Sequence, residues 1–518
     1  MAAVTTFARR WRQAVRSAPD RPFLVWEGSD ERVAAWTYGE FDALVERVAG
    51  ALVARGAAPG TAVHLLLANS PAFVAAWLAA ARLGAWIVPA DPSATAAELG
   101  DQIARTRPDV AVVGASRAAT YTAASSTATS PPSLVVVDED DTALADLTGT
   151  RPVDHPWPVP LTRAAVMFTS GTTSRPKGVE VTQANYAFAG DVMAAAAALR
   201  PDDRLLVVLP LFHANAQYYS FAAAISAGAS VALMPAFSAS RFLAQAARHR
   251  ATCASLFAAP MRMILAKRPV PEPGIVLRHC WFAQNVSDEQ YEELCRLLGC
   301  RPRQLYGMTE TLPAVLTNRA LDPAAEAMGE VTMGCALELQ DDDGRPVPAG
   351  EVGEIVVGGV RGLTLLAGYL DDAETTARSF RAGWFRTGDR AVIGNDGLWR
   401  FVGRGADVLK VAGENVSTVE IESTITAHPD VLEAAVVGAP DDMRDEVPVA
   451  FVVAAPHVTV LDVEALAAWA AERLAKSKRP QRWHVVDELP RTSVGKIRKF
   501  QLKAQAAATP SAAAAGEP

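Results

Sequence analysis

The sequence predicts an α/β protein with a large N-terminal body that contains several sheets and a small C-terminal α+β domain. Short apolar strands alternate with Ala-rich helical segments through the body, the order typical of parallel sheets covered by helices. Around Gly383 to Arg404 the composition changes to Gly-punctuated, strand-like pieces, and a helix between short apolar strands follows. At 518 residues the chain is long enough for several domains. We place the body at 1–403, a hinge at 404–407, the small domain at 408–505 and a disordered Ala-rich tail at 506–518.

The elements of the body are predicted to follow one another as helix and strand. A helix-periodic segment begins near Trp36, and the apolar strand AVHLLLANS comes after it. Further strands are predicted at VAVVG, SLVVVD, AAVMFTS, RLLVVLP and SVALMP, and Ala-rich helices at PAFVAAWLAAARLGA and FLAQAARHRA. Between Arg117 and Ser133, a run rich in Ser, Thr and Pro predicts a surface loop with little structure of its own.

The composition excludes several classes of protein. A formal net charge of −8 provides no basic field, so we expect no nucleic-acid partner. No apolar run approaches the roughly 18 residues of a membrane helix, and arginines interrupt the opening segment, which predicts a surface helix rather than a signal peptide. The five cysteines are odd in number and form no CxxC pair, which favours a reducing, cytoplasmic compartment over a zinc site or redox pair.

The segment TSGTTSRPKGV has the composition of a phosphate-binding loop. It follows the strand AAVMFTS and precedes a helix that we expect to begin after Thr182, a favourable N-cap residue. Gly171 and Gly178 let the backbone curl so that its N–H groups converge on an anion. Hydroxyl donors and a positive charge come from Thr169, Ser170, Thr172, Thr173 and Lys177. A Walker A loop is excluded because Lys177 precedes Gly178 and Val179 follows, where Ser or Thr is required.

Seven motifs in order along the chain resemble those of the adenylate-forming superfamily, which includes acyl-CoA synthetases, adenylation domains and luciferases. Besides the phosphate loop they are LPLFH, YGMTE, GEVGEIVVGG, WFRTGD, GRGADVLKVAGENVSTVEIE and PRTSVGKIRK. The pieces FHANAQ, RDEVPVAFVV and VAGENVSTVEIE are most similar to the crotonobetaine/carnitine-CoA ligase-like branch of acyl-CoA ligases. The resemblance implies an ATP-dependent, AMP-forming acid–thiol ligase. In such enzymes a carboxylate attacks the α-phosphate of ATP, pyrophosphate leaves, and the CoA thiol then displaces AMP.

The resemblance also implies roles for single residues in the adenylation step. Lys496 bridges the carboxylate and the α-phosphate, Glu310 holds Mg²⁺, and Thr309 contacts the phosphate. Fixed positive groups and a divalent ion suit the negative charge that accumulates during this step. We therefore expect Mg²⁺ as the cofactor, with ATP and CoA as co-substrates.

Nucleotide recognition needs a stacking platform and acceptors for the ribose hydroxyls. The resemblance assigns adenine stacking to Tyr306 and the ribose contacts to Asp389 and Arg404. The chain departs from the family pattern at residues 283–285, where many relatives carry a Gly-rich stretch that contacts adenine and this chain has Ala-Gln-Asn. Gln284 is the candidate nucleotide contact in this stretch.

The remaining implied residues serve the acid and CoA. His213 of the LPLFH motif is the expected aromatic gate between the acyl pocket and the CoA channel. The candidate acyl-pocket residues are His213, Ala214, Ala283 and Gly307. Gly413 lets pantetheine pass close to the backbone, because a Cβ there would obstruct it. The resemblance also implies that the small domain is mobile and turns about the hinge at 404–407. The pivot falls on Ala406, where relatives commonly have Asp or Lys, and this is a second departure from the family pattern.

Alternative functions stay open at this point. Ala406 and Gln284 motivate a specialised member that mainly performs CoA thioesterification of a preformed acyl-adenylate. A stand-alone adenylating enzyme that loads a carrier protein would show the same motifs, and luciferase-type oxidation occurs on the same scaffold. A non-catalytic relative that only binds nucleotide is an alternative from another class. The presence of both Lys496 and Glu310 makes this alternative less favoured.

The identity of the acid is also open. The small side chains of Ala214, Ala216 and Ala283 predict a roomy, mainly apolar pocket for a bulky acid, whereas the carnitine-like resemblance indicates a short, charged one. No Asp or Glu lies within FHANAQYYS to pair with a quaternary ammonium, although Tyr218 and Tyr219 offer cation–π contacts. We therefore favour the bulky, apolar acid. A homodimer is left open, because such enzymes are often dimers or monomers.

Overall fold

The computed structural model of the protein describes residues 4–126, 128–149, 155–169, 176–404, 408–411, 414–441, 445–491 and 497–508. Within these residues the predicted fold class is confirmed: a large N-terminal α/β body precedes a smaller C-terminal α+β domain. None of the helices in the described part of the chain has both the length and the apolarity needed to traverse a lipid bilayer.

The first part of the body alternates helices and strands. Its elements in chain order are α1 (Phe7–Ser17), β1 (Pro22–Glu27), β2 (Val33–Thr37), α2 (Tyr38–Ala54), β3 (Ala62–Leu66), α3 (Pro71–Leu83), β4 (Trp86–Pro89), α4 (Ala96–Thr106), β5 (Val110–Gly114), α5 (Ala118–Ser125), β6 (Ser133–Val137), β7 (Arg163–Thr169), β8 (Lys177–Thr182) and α6 (Gln183–Ala196).

The second part of the body contains short strands and a π-helix (Asn215–Ala222). The other elements are β9 (Arg204–Val207), α7 (Ala223–Ala227), β10 (Ser230–Leu233), α8 (Phe242–Arg248), β11 (Cys253–Phe257), α9 (Ala258–Ala266), β12 (His279–Ala283), α10 (Asp288–Leu298), β13 (Arg303–Tyr306), β14 (Leu316–Thr317), β15 (Glu330–Val331), β16 (Ala336–Gln340), β17 (Val352–Gly358), β18 (Gly368–Tyr369), α11 (Ala373–Arg378), β19 (Phe380–Arg381), β20 (Trp384–Ile393) and β21 (Trp399–Arg404).

Three sheets organise the body. The described strands of the first sheet run in the order β18-β8-β7-β4-β3-β5-β6, with parallel pairing from β7 to β6. Those of the second run in the order β15-β14-β13-β12-β11-β9-β10-β1-β2, parallel from β13 to β1. The third is antiparallel, in the order β16-β17-β20-β19, with β21 paired to β20.

One hydrophobic cluster joins the first and second sheets through α3, α6 and the π-helix. α3 is buried on nearly every side, and its many alanines allow both sheets to approach it closely. Its ends are also defined by the sequence: Ser70 is the N-cap, Pro71 is the first helical residue, and Gly84 ends the helix in the left-handed conformation at φ 71°.

The predicted order of strand, phosphate loop and helix is wrong in one respect. β8 lies between the loop and α6, so β7 and β8 form an antiparallel hairpin in which Thr169 and Lys177 are Cα partners across the loop. The alternating apolar residues of β8 favour a strand at this position. The prediction for Thr182 holds, because its side chain accepts from the Asn185 N–H at 3.1 Å and caps α6.

A second expectation for the body is also corrected. The Ser/Thr-rich run after Arg117 contains α5 rather than only a loop. Tyr121 of this helix is buried, and its hydroxyl lies 2.8 Å from Nδ1 of His64 in β3. Alanine has the highest helix propensity of all residues, and four alanines of the run lie in α5.

The C-terminal domain is a sheet with helices on both faces. Its elements are β22 (Val408–Val411), β23 (Glu414–Ser417), α12 (Thr418–Thr426), β24 (Val431–Asp441), β25 (Asp445–Ala454), α13 (Val463–Arg473), β26 (Arg482–Val485) and α14 (Lys499–Ala508). One apolar cluster packs α12 and α13 on one face of β24 and β25, and a second packs α14 on the other. Because α14 continues to Ala508 and buries Ala506, ordered structure extends past the start predicted for the tail.

Candidate active site

The hairpin of β7 and β8 places the two described ends of the phosphate loop side by side. Thr169 is the last residue of β7 and Lys177 the first of β8, and Arg105 donates to the Pro176 carbonyl at 2.8 Å. Nζ of Lys177 lies 5.0 Å from the ring centroid of Tyr369 in β18, a cation–π contact. The predicted contacts Ser170, Gly171, Thr172 and Thr173 lie outside the described residues.

Tyr369 connects Lys177 to Glu310. The tyrosine hydroxyl donates to Oε1 of Glu310 at 3.1 Å, and Glu310 is buried in a short 3₁₀ turn (Thr309–Thr311) that follows β13. Burial and the neighbouring Glu310 charge raise the pKa of Tyr369, so its hydroxyl stays protonated. Lys177 and Glu310 therefore both contact Tyr369, and half-buried Thr309 lies in the same turn as Glu310. Tyr369 itself was not predicted, because it lies in none of the motifs.

Glu310 fits a magnesium ion that is shared with a nucleotide. Mg²⁺ is usually held by one or two carboxylates together with substrate phosphates and water, rather than by a cage of protein ligands. The part of the chain that the structure describes holds no cluster of three or more His, Cys, Asp or Glu side chains suited to a metal. A single buried carboxylate beside a phosphate loop is the donor set expected for a metal that arrives with ATP.

Tyr306, Asp389 and Arg404 form a hydrogen-bonded set that we call the nucleotide-side group. The Tyr306 hydroxyl donates to Oδ2 of Asp389 at 2.7 Å, and Nε of Arg404 donates to Oδ1 of the same carboxylate at 2.7 Å. Strand register explains the proximity, because Asp389 in β20 and Arg404 in β21 are Cα partners. Asp389 is buried, while Arg404 is about half exposed. Burial, followed by the Asp389 charge, raises the pKa of Tyr306 well above its ordinary value.

The unusual stretch at 283–285 is fixed by side-chain hydrogen bonds. Nε2 of Gln304 in β13 donates to the Gln284 carbonyl at 3.0 Å and to Oδ1 of Asn285 at 2.8 Å. Arg262 of α9 donates to the Asn285 carbonyl at 3.1 Å. Gln284 has φ 74°, a left-handed conformation that glycine adopts at less cost. This stretch is therefore ordered although it lacks glycine.

On the acyl side, Asn69 fixes the segment that leads to His213. Its Nδ2 donates to the carbonyls of Leu209 and Met234 at 3.1 and 3.0 Å, and its Oδ1 accepts from the Leu211 N–H at 2.7 Å. His213 is half-buried, and its ring centroid lies 4.2 Å from that of Phe212. The π-helix begins directly after Ala214. Helices of this rare type occur frequently at functional sites.

The two tyrosines of the π-helix have different surroundings. The Tyr218 hydroxyl donates to Sδ of Met167 at 3.4 Å and its ring packs on Tyr186, so Tyr218 belongs to the core. Tyr219 instead lies against Gly307, where an added Cβ would come within 2.6 Å of the tyrosine hydroxyl. The expected cation–π role is thus corrected for Tyr218. Gly307 is required for Tyr219 to occupy its place.

Asn215, Tyr219 and Gly307 make up what we call the acyl-side group. Asn215 is buried, and its Oδ1 has no hydrogen-bond partner among the described residues. Asn215 was not predicted, since a lone Asn between two alanines has no distinguishing pattern. Ala283, a predicted neighbour of this pocket, ends β12 and is partly exposed.

Three predicted functional residues, Lys496, Gly413 and Ala406, lie outside the described residues. The ends of the segment that carries Lys496 are nevertheless fixed. Arg491 and Ile497 form an antiparallel bridge, and the Arg498 N–H donates to the Pro490 carbonyl at 2.7 Å.

Two family models cover most of the chain. One, described as AMP-binding enzyme, matches residues 11–370, and the other, AMP-binding enzyme C-terminal domain, matches residues 420–496. The chain belongs to the AMP-binding enzyme family. The resemblance inferred from the ordered motifs is therefore confirmed.

Comparison with known proteins narrows the class further. A crotonobetaine/carnitine–CoA ligase of Escherichia coli is 34% identical over 493 residues, which is 93% of this chain and 95% of that protein. The crystal structure of a benzoate CoA ligase from Burkholderia xenovorans LB400 has a TM-score of 0.86 at 25% identity, covering 96% of this chain and 100% of that chain. The anthranilate CoA ligase AuaEII, in complex with anthranoyl-AMP, shares the fold with a TM-score of 0.89 at 24% identity over 98% of each chain. The chain is an enzyme of the acyl-CoA ligase class, as predicted.

Proposed function

We propose that this protein is a complete ATP-dependent acyl-CoA ligase that activates its acid as an acyl-adenylate and then transfers the acyl group to CoA. The observation that carries the proposal is the convergence of Lys177, Tyr369 and Glu310 beside the phosphate loop. The E. coli relative, named as a CoA ligase and similar over nearly the whole length, supports the choice of CoA as acceptor.

Each group has a distinct task in the first half-reaction. Lys177 meets the nucleotide phosphates at the mouth of the loop, and Tyr369 holds the Glu310 carboxylate in place by its hydrogen bond. Glu310 would hold Mg²⁺ together with the phosphates, and the ion would neutralise charge on them. Tyr306 offers its ring to adenine, while Asp389 and Arg404 present hydrogen-bonding groups to the ribose. Lys496 and Thr309 meet the carboxylate and the α-phosphate.

In the second half-reaction the small domain turns about Ala406 and brings Gly413 to the pantetheine. His213 lies between the acid and the CoA channel and gates it. The roles proposed for Ala406, Gly413 and His213 rest on the resemblance of their motifs to those of the adenylate-forming superfamily. Stand-alone loading of a carrier protein, and thioester formation from an adenylate made elsewhere, are outcomes that the experiment below distinguishes.

We further propose that the acid has a bulky, mainly apolar body. Ala214, Ala283 and Gly307 are the small side chains around it, and residues 205–229 carry no Asp, Glu, Lys or Arg. A quaternary ammonium group buried against this segment would find no counter-ion within it, which is unfavourable. On this ground the acid differs from the crotonobetaine and carnitine in the name of the E. coli relative.

The test separates the two half-reactions. Acid-dependent exchange of pyrophosphate into ATP measures adenylation, and thioester formation from synthetic acyl-adenylates measures transfer to CoA or to a carrier protein. We expect both activities with CoA. Adenylation with transfer only to a carrier protein would indicate the loading enzyme, and transfer without exchange would indicate the specialised second-step enzyme.

A pair of lysine variants makes this test specific. Lys496→Ala should lower the exchange rate about 10² to 10³-fold, because it removes a charge that acts in the transition state, and should largely spare transfer from a preformed adenylate. Lys503→Ala is the matched control: Lys503 lies on α14, is half exposed and pairs with Glu446 at 3.4 Å. It should leave both rates unchanged. Equal losses of both half-reactions in Lys496→Ala would contradict the assigned role.

A further inference from the structure

Four residues of the π-helix, Asn215, Gln217, Tyr218 and Tyr219, differ in how their polar atoms are paired. Nε2 of Gln217 donates to the Leu211 carbonyl at 2.6 Å, and the Tyr186 hydroxyl donates to Gln217. The Tyr218 hydroxyl donates to Met167. These polar groups are satisfied inside the core, as is usual for buried polar atoms.

Asn215 and Tyr219 are different. Asn215 is 94% buried, yet its Oδ1 has no partner within the described part of the chain. The Tyr219 hydroxyl has no hydrogen bond to the described residues either, and a Cβ added at Gly307 would come within 2.6 Å of it. The two residues are four positions apart, which is close to one turn of a π-helix and puts them on the same face.

Both residues lie where an acid would be held. Asn215 comes directly after His213 and Ala214, and Tyr219 lies against Gly307 of the turn that leads to Glu310. The unpaired atoms are an amide oxygen, which accepts, and a phenolic hydroxyl, which donates or accepts. A buried polar atom without a partner destabilises the folded protein unless a ligand supplies the partner.

We propose that Asn215 and Tyr219 form a polar end of the acyl pocket that selects acids carrying an uncharged hydrogen-bonding substituent, such as a hydroxyl or an aromatic amino group, on an otherwise apolar body. This inference rests on the proposed ligase function and specifies its substrate class. The substituent is uncharged because residues 205–229 carry no ionised side chain of either sign to pair with it. Asn215 accepts its hydrogen, and Tyr219 holds it against the Gly307 turn.

The experiment compares pairs of acids that differ only in the substituent. Benzoate is compared with its 2-, 3- and 4-hydroxy and amino derivatives, and aliphatic acids with their hydroxy derivatives, by kcat/KM in the exchange assay. The wild-type enzyme should prefer the substituted member of at least one pair about tenfold or more. Tyr219→Phe and Asn215→Leu should each reduce that preference, measured as the ratio of kcat/KM for the two members of the pair, about tenfold.

Tyr218→Phe is the matched control, because it removes the same atom from the neighbouring residue, where the hydroxyl bonds Met167. It should leave the preference unchanged. A preference is a ratio for one enzyme preparation, so it does not depend on the fraction of protein that is folded. If Tyr219→Phe folds poorly, Asn215→Leu still tests whether the preference depends on the polar end of the pocket.

The outcomes are distinguishable. Exchange with equal kcat/KM for both members of every pair would overturn this inference and leave the ligase proposal standing. A preference that Tyr219→Phe and Asn215→Leu leave intact would overturn it as well. Neither exchange nor thioester formation with any acid would overturn both proposals.

Discussion

The nucleotide-side group and the acyl-side group differ in how their polar atoms are paired. In the first, Tyr306 and Arg404 both donate to Asp389, so the buried carboxylate is satisfied before any ligand arrives. In the second, Asn215 is buried without a partner for its amide oxygen among the described residues. The first group is organised without a ligand, whereas the second, in the proposed function, depends on the acid that it binds.

The difference follows from the chemistry that each side meets. The nucleotide has one constant structure, so a fixed set of hydrogen bonds holds the recognising groups in position and lowers the entropy lost on binding. The acid is what distinguishes one such ligase from another. Unpaired polar atoms at that end penalise any acid that fails to satisfy them, which gives strong discrimination.

The largest effect that tests this comparison is expected from Asp389→Asn. The substitution removes the charge on which the Tyr306 hydroxyl and the Arg404 guanidinium converge, and the amide cannot accept from both with the same geometry. We expect KM for ATP to rise about ten- to hundredfold, since hydrogen bonds to charged groups are the strong ones. KM for the acid should change little. Both are obtained from saturation curves of the exchange reaction.

Asp342→Asn is the control for that substitution. Asp342 is an exposed carboxylate that pairs with Arg390, the residue after Asp389, at 2.6 Å. Exposed ion pairs contribute little, so its kinetics should match those of the wild type. If Asp389→Asn shifts the preference between acids instead of KM for ATP, the separation into two sides fails.

A smaller effect is expected from Asn215→Asp. The substitution is nearly isosteric and places a carboxylate in a segment that otherwise carries no charge. The measurement is the ratio of kcat/KM for crotonobetaine to kcat/KM for its neutral isostere, in which carbon replaces the quaternary nitrogen. We expect this ratio to rise about tenfold, because opposite charges attract in a buried site. Asn215→Leu, which adds no charge, should not raise this ratio. No change in the ratio would mean that Asn215 does not face the acid.

Much of the nucleotide side was predictable, because each residue lies in a motif that can be recognised locally. Tyr306 ends β13 and begins YGMTE, and Asp389 lies in WFRTGD. The fold class was also predictable from the alternation of apolar strands and Ala-rich helices. The short β8 was missed because it lies directly after a Gly- and Pro-containing loop and resembled part of it.

The acyl side was less predictable, since its roles arise from contacts between distant parts of the chain. Beside the phosphate loop, Tyr369 was missed for the same reason, because it donates to Glu310, 59 residues earlier, and no motif contains it. Tyr219 meets Gly307, whereas Tyr218, the residue before it, meets Met167. Hydrophobic periodicity does not distinguish such a helix from an α-helix over only eight residues.

The smallest effect concerns the backbone beside the nucleotide-side group. Gln284 has φ 74°, which costs an L-residue with a Cβ about 1 kcal/mol relative to glycine. Gln284→Gly should therefore raise the free energy of unfolding by about that amount in a urea titration, whereas Gln284→Ala, which keeps the Cβ, should give no gain. The backbone carbonyl of residue 284 accepts a hydrogen bond from Nε2 of Gln304, and this bond survives both substitutions. A loss of stability in Gln284→Gly would mean that the glutamine side chain contributes more than its backbone conformation costs, and that the nucleotide side is organised by this side chain as well as by the Asp389 network.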